Sequence, residues 1–371
     1  MSLRVVPYAA AHEPAARAFN ARMRAADALL FSLPEAAPAS NPNTPAPGIE
    51  FRHYVVVDDG GEVRGGYFVR VQPFWIRGQV RAVGHYQAPL SEGLIDKRYA
   101  AVGAAMLAHA LGEQPLLFAM GMGGMERPLP RMLRAMGWAI LETPFFFLVL
   151  NGKRFLRNIG PLRGRWDLRL GADFLAVSGL GGLTLRATQK ARTRGRFDRR
   201  YQQQPTDEFA AWADQVWQES APQYSLSAIR SAEYLRFIYP GTPYHGVRLN
   251  EGDRPAGWVE MLDCQPRDRS YFGGMRVAAL VDGVGPAAAI PSLVDCAVRA
   301  ARERNADLVV SNQMHQDWTS ALKAAGFWRG PSNYLLALSK ELRKLLDPLD
   351  EAIPRIHFNR GDGDGRVNLT G

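Results

Sequence analysis

Four short stretches of the 371-residue chain combine residue types and spacings that can do chemistry. In IDKRYAAVGAAMLAHAL, residues 95–111, the residues Lys97, Arg98, Ala101, Gly103 and Ala104 open a run of Ala, Met and Leu at helical spacing. Small residues at a helix start let successive backbone N–H groups approach a phosphate, which the positive end of the helix dipole helps to hold. The same residues also suit a helix packed closely on a sheet. In VRAVGHYQAPL, His85 and Tyr86 precede that helix on an apolar strand. Imidazole changes charge near neutral pH, so His85 is either a base acting through water or a satisfied core histidine. Glu260 in AGWVEML and the nearby Asp263 lie on a strand of the second half, where a carboxylate either orients an amine or keeps an outward face soluble. Asn312, Gln313 and His315 in VVSNQMHQDW follow a buried-looking strand, the end at which open α/β sheets receive ligands. A polar cap for the next helix calls for the same residue types.

The elements that must position these residues come in two similar sets. The first half reads as a helix in HEPAARAFNARMRAADALL, then a meander of β-branched and aromatic strands from FRHYVVV to APLSEG. A helix over Tyr99 to Leu111 follows, then a strand LLFAMGM, a helix LPRMLRAMGW and a strand PFFFLVL. The second half has helices in DEFAAWADQVWQESAPQY and SAEYLRFIYPG and strands in YHGVRLNEGDRPAGWVEMLDC and SYFGGMRVAALVDG. It ends with a helix IPSLVDCAVRAARER, a strand DLVVSN, a helix TSALKAAGFW and a closing strand NYLLALS. LRAMGW aligns with LKAAGF, and TPFFFLVL with SNYLLALS, so two copies of one α/β unit are expected. The expected division is 1–152 and 206–345 for the copies, 153–205 for a basic linker and 346–371 for a C-terminal tail.

Composition narrows the partners. Lys and Arg outnumber Asp and Glu by 45 to 36, a net charge of +9 that favours nucleic acid, a phosphorylated cofactor, an acidic glycan or a membrane surface. At 47% hydrophobic residues, the chain can bury a core in each of two domains. Cys264 and Cys296 are too few for a disulfide framework and too far apart for a metal knuckle, which points to a reducing compartment. No stretch reaches the roughly 18 apolar residues of a membrane span, and the start has no secretory pattern, so a cytoplasmic protein without metal is expected. Gly-x-Ser-x-Gly, His-Glu-x-x-His and Gly-x-x-x-x-Gly-Lys-Ser/Thr are absent, which sets aside metal-dependent and nucleotide hydrolysis. Residues 34–48, PEAAPASNPNTPAPG, form either an ordered flap or a floppy loop. Residues 185–200, LRATQKARTRGRFDRR, carry seven Lys or Arg against one Asp, which suits phosphate backbones or a solvated linker helix. FNRGDGDGRVNL near the end reads as a surface tail; Asp362 and Asp364 have calcium-loop spacing, but Arg366 stands where a third ligand is needed.

This order of elements, with Arg98-x-x-Ala101-x-Gly103 opening the main helix, resembles the GNAT acyltransferases over about residues 1–152 and again about 206–345. That family carries Gln/Arg-x-x-Gly-x-Gly/Ala there, and Ala101 replaces its first Gly; SEGLIDKR fits the family's preceding loop. The resemblance implies an α/β fold of two tandem GNAT-like (acyl-CoA N-acyltransferase) units. It implies acetyl-CoA or another acyl-CoA as cosubstrate, held by Lys97, Arg98, Ala101, Gly103 and Ala104. His85 and Tyr86 fall where the family's central strand splays to admit the thioester. Glu260 and His315 are the further catalytic candidates, and Asn312 and Gln313 those for binding the acceptor, an amine of a small molecule or a glycan precursor. GNAT enzymes often use a Tyr four residues before the Gly that ends the short helix, where this chain has Leu133 and Leu322. The second copy's turn, ALVDGVGPAAAIPSL, lacks a basic residue and loses a donor at Pro286, so that copy is expected to bind no coenzyme A. Tandem units with one degraded site and a basic run between them also resemble Fem-type peptidyltransferases, which implies tRNA bound through residues 185–200. A non-catalytic tandem GNAT protein is the third reading.

Overall fold

The computed structural model describes residues 2–28, 31–38, 48–158, 197–206, 208–241, 243–264 and 272–363, with Ala187 and Thr193. The basic run at 185–200 therefore lies largely outside the described residues, as do positions 39–47 of the Pro-rich loop. The chain divides into two compact units, one of Met1–Phe74, Val80–Leu141 and Leu335–Leu346, the other of Trp75–Gln79, Glu142–Tyr334 and Asp347–Gly371.

The first unit is built on strands β1 (Leu3–Pro7), β2 (Glu50–Asp58), β3 (Val63–Ile76), β4 (Gln79–Ser91), β5 (Leu117–Met120) and β6 (Ala139–Glu142). Together with β15 (Leu335–Leu338) they run in the order β1-β2-β3-β4-β5-β15-β6. Side chains alternate across β2: Val55 and Val57 face one way, Tyr54 and Val56 the other. Helix α1 (Glu13–Ala25) buries Ala16, Phe19 and Met23 on one stripe against Val55, Val57, Val63 and Leu90. Helix α2 (Val102–Glu113) covers the opposite face, setting Val102, Met106 and Ala110 among Tyr54, Val56, Tyr67 and Tyr86. Helix α3 (Pro128–Ala135) adds Leu133 to the same core, and a short α9 (Lys340–Lys344) follows β15. The main helix begins at Val102 rather than at Tyr99, because Lys97–Tyr99 form a separate 3-10 turn.

The second unit follows the same plan. It contains β7 (Phe145–Val149), α4 (Gly152–Asn158), β8 (Tyr201–Thr206), α5 (Ala211–Ser220), β9 (Leu226–Ala228), α6 (Ala232–Ile238), β10 (Tyr244–Glu251) and β11 (Arg254–Cys264). Then come β12 (Val277–Val284), α7 (Ile290–Glu303), β13 (Leu308–Asn312), α8 (Gln316–Ala324), β14 (Trp328–Gly330) and α10 (Leu349–Ala352). The sheet runs β14-β7-β13-β12-β11-β10-β8, with α7 burying Ile290, Leu293, Val294 and Ala297 against Val259, Met261, Ala278 and Leu280. No helix among the described residues is long and apolar enough to cross a membrane.

The closing strands are exchanged. β7 follows the first set of elements in sequence but pairs antiparallel with β13, from Leu308↔Val149 to Asn312↔Phe145. β15 follows the second set but pairs with β5, Leu336 opposite Met120 and Leu338 opposite Phe118. Both strands are short and apolar, so their patterns suit either sheet, and PFFFLVL and NYLLALS carry no mark of which one they complete.

Candidate functional site

In the first unit, β4 and β5 run parallel for two residue pairs only, Gly84↔Leu117 and His85↔Phe118. Beyond them β4 bends at Ala88, whose φ of +46° is a left-handed conformation that disfavours a residue with a Cβ, while β5 continues beside β15. The strands part there, and the β4 backbone past His85 no longer has β5 as a partner.

The chain then turns into α2 under tight control. Glu92 is buried and accepts two hydrogen bonds from Arg22, Nε at 2.9 Å and Nη2 at 3.0 Å, and another from Arg64 Nη1 at 3.2 Å. Arg64 also binds Asp58 at 2.8 Å and lays its guanidinium 4.4 Å from the centre of the Tyr99 ring. Asp96 accepts the Arg98 N–H and pairs with the Arg98 side chain, so this guanidinium is turned back on the loop. Ala101 is the N-cap of α2, and no side chain caps the helix. The first helical bond runs from Ala105 N–H to Ala101 O, which leaves the N–H groups of Ala101, Val102, Gly103 and Ala104 as the orphan donors of a helix start. Gly103 is not required by packing: a Cβ there would meet Met132 Sδ at 3.5 Å, an ordinary contact.

His85 and Tyr86 face opposite sides of β4. His85 is buried, stacked on Phe118 at 4.4 Å between ring centres, with the Gln87 side-chain amide against its Nδ1. Burial, reinforced by Arg70, holds its pKa well below 6.5, so the ring is neutral at physiological pH. Tyr86 packs 5.1 Å from Tyr67 on the α2 side, and its buried hydroxyl has no hydrogen-bond partner within the described residues. Burial raises its pKa, so it keeps its proton. Leu133 and Leu322, at the positions of the frequent GNAT tyrosine, are core residues. Lys97, Arg98, Ala101 and Ala104 are exposed around the helix start and Gly103 is half-buried. Sequence reading missed the Arg22–Glu92–Arg64 brace and the Ala88 bend. The clue available for the first was an acid within SEGLIDKR; nothing local marks the second.

In the second unit the equivalent ladder, β12 with β13, runs from Val277↔Leu308 to Leu280↔Ser311. Beyond it lies the C-terminal segment, which corrects the surface-tail expectation: Phe358, Asn359 and Asp362 are fully buried. Arg230 is the reason, since it is sealed in the core and bonds Asp282 at 2.7 Å and Asp362 at 2.8 Å. Asn359 Nδ2 and the Tyr239 hydroxyl also donate to Asp282, at 2.7 and 3.0 Å. Gly361 lies so close that a Cβ would strike the Tyr239 hydroxyl. Asn312 Oδ1 accepts from Arg360 Nε at 2.9 Å, Gln313 bridges to Asn359, and His315 accepts from Asp317 N as the cap of α8. All three are buried, so the structure gathers Asn312, Gln313 and His315 around the C-terminal segment. Asp263 pairs with Arg276, and Asp364 lies outside the described residues. No group of three metal-binding side chains occurs among the described residues.

Glu260, opposite Gly246 and Asp282 in the sheet, is buried rather than outward-facing. Burial and the nearby Asp282 carboxylate raise its pKa well above 4.5, so folding binds a proton that the unfolded chain releases. The contribution of such a group is full below its unfolded value and is lost as pH rises. Glu260→Gln is therefore expected to equal the parent in stability near pH 4.5 and to exceed it increasingly above, by about 1.4 kcal/mol per pH unit until the native carboxyl ionises. Urea unfolding at a series of pH values checks this; parallel curves would mean that Glu260 is charged in the fold.

No protein-family model matches the sequence, and no curated protein matches it. Solved structures do. The chain is similar to a GCN5-related N-acetyltransferase from Anabaena variabilis, at 11% identity and a TM-score of 0.53 over 91% of this chain and 72% of that one. It is similar to Saccharomyces cerevisiae N-myristoyltransferase with bound myristoyl-CoA and inhibitors, at 12% identity and a TM-score of 0.53 over 91% and 80% of the two chains. A probable N-acyltransferase from Enterococcus faecalis matches at 11% identity and a TM-score of 0.50, over 94% and 75%. These likenesses establish a GNAT-type α/β fold.

Proposed function

We propose that the first unit transfers an acyl group from a coenzyme A-type thioester to an amine. The observation that carries this reading is the start of α2, uncapped, exposed and opened by a glycine that packing does not require, just after the point where β4 and β5 part. Val102, Gly103 and Ala104 N–H would bind phosphate at the positive end of α2. The donor supplies an activated carbonyl, and the residues of this chain handle the protons. His85, neutral through burial, would accept the proton of the incoming amine through water at Nε2 and return it to the departing sulfur. The Gln87 amide nitrogen lies against Nδ1, so that role requires the Gln87 amide to turn over, its oxygen accepting from Nδ1–H and leaving Nε2 unprotonated. Tyr86, on the opposite face of β4, keeps its proton and an unpartnered hydroxyl and takes no part in this proton transfer. The amine belongs to a small metabolite or an envelope or polysaccharide precursor. The Fem-like alternative rests on residues 185–200 and the net charge of +9.

Calorimetry with acetyl-CoA and octanoyl-CoA tests the reading. Binding at about 100 µM or tighter is expected, weakened at least about tenfold by Arg98→Glu, which places a second acid beside Asp96 at the helix start. No binding of either thioester overturns it. Retention of tRNA with a steep salt dependence would then favour the Fem-like alternative.

A further inference from the structure

We propose that the acyl group reaches the first unit on the phosphopantetheine arm of a small acidic carrier protein, which docks on the surface around the start of α2. The inference rests on the acyl-transfer reading above and names its donor. The loop into α2 holds two large apolar side chains out into water side by side, Leu94 at 54% and Ile95 at 38% exposure. Phe31, Val80 and Leu345 are the other exposed large hydrophobics among the described residues. Lys97 and Arg98 follow directly, and α3 with its lead-in exposes Arg127, Arg131 and Arg134. The loop packs on the turn that leads into α2, and α3 on the first turn of α2 itself. A Cβ on Gly93 would lie 2.6 Å from Tyr99 O and 3.0 Å from Ala100 Cα, and one on Gly103 would lie 3.5 Å from Met132 Sδ. Those five cations are accompanied by two acids, Asp96 and Glu126, and by half-buried Met122, Met125 and Leu129, side chains that adapt to varied apolar partners.

Free coenzyme A explains this surface poorly. A nucleotide thioester is held by its phosphates, and apolar side chains displayed on the loop ahead of the cradle add nothing to that; they match the contact surface of a protein. Arg98 N–H is taken by Asp96 Oδ1, Tyr99 N–H by Asp96 O and Ala100 N–H by Lys97 O, which leaves the N–H of Ala101 and those of the first turn of α2 for a phosphate. The basic collar suits an acidic protein and speeds its encounter.

The test compares an acyl carrier protein loaded with an octanoyl thioester against octanoyl-CoA, each by fluorescence anisotropy with the full chain at low and high salt. The carrier is expected to bind at least about tenfold more tightly than octanoyl-CoA at low salt and to lose that margin at high salt. The double variant Leu94→Asp, Arg131→Glu, in which both changed residues are exposed, is expected to weaken the carrier at least about tenfold and octanoyl-CoA less than about twofold, with an unchanged melting temperature. Octanoyl-CoA binding as tightly as the carrier, or a variant that weakens neither or both equally, overturns the inference and leaves the acyl-transfer reading standing. Binding of neither probe overturns both.

Discussion

Replacing Arg230 with methionine is expected to destabilise the second unit by about 3–5 kcal/mol at pH 7.5, because it removes one partner of a buried ion cluster and leaves the others unpaired. Arg230 is sealed from solvent and satisfies two carboxylates that are themselves sealed, Asp282 and Asp362. Even with Arg230 present, burial pushes the Asp362 carboxyl up to about 6. Without the guanidinium, folding would require both acids either to stay charged in a dry core or to take up protons. A carboxyl whose native pKa is raised recovers its contribution as pH falls, so the deficit of Arg230→Met is expected to shrink between pH 7.5 and pH 5. Adding Asp362→Asn is expected to restore part of the loss by removing one stranded charge. Urea unfolding followed by the fluorescence of Trp258 and Trp318, both buried in this unit, gives the values. A loss below about 1 kcal/mol, the scale of an exposed pair, would mean that water reaches the cluster.

The second large effect is expected at Leu336→Asp. Leu336 is fully buried in β15, opposite Met120 of β5, so the change sets an unpaired carboxylate within the sheet of the first unit at a cost of several kcal/mol. The exchanged topology makes the readout specific. Hydrogen exchange is expected to lose protection over residues 117–120, while residues 308–312, which pair with β7, keep theirs. If 308–312 lost protection instead, β15 would be completing the other sheet.

Most elements were legible because their patterns are local. Val55 and Val57 alternate with Tyr54 and Val56, and Ala16, Phe19 and Met23 fall on one helical stripe. The start of α2 was marked by Arg98 and Gly103, although the intervening 3-10 turn was hidden inside an otherwise helical run. What escaped was long-range. Arg230 meets carboxylates 52 and 132 residues away, and nothing around Asp362 in a Gly- and Asp-rich stretch announces a buried counter-ion. Glu260 looked like an outward-facing acid because alternation along a strand does not say whether both faces are covered. Register and burial identify the two faces of a strand; partner choice between β7 and β15 is set by topology that no window of sequence contains.

That partner choice also sets a timetable. β5 is complete once Met120 has been synthesised, but its neighbour β15 ends at Leu338, 218 residues later (338 minus 120). At the usual pace of translation, about 5–20 residues per second, the edge of β5 waits roughly 10–40 s for its own strand. An open edge of this kind is a template for wrong pairing, and the strands that emerge next, before β15, are first β6 and then the apolar β7. The nascent chain is thus offered an incorrect closure well before the correct one exists, and the native fold is reached only when β7 is claimed by β13.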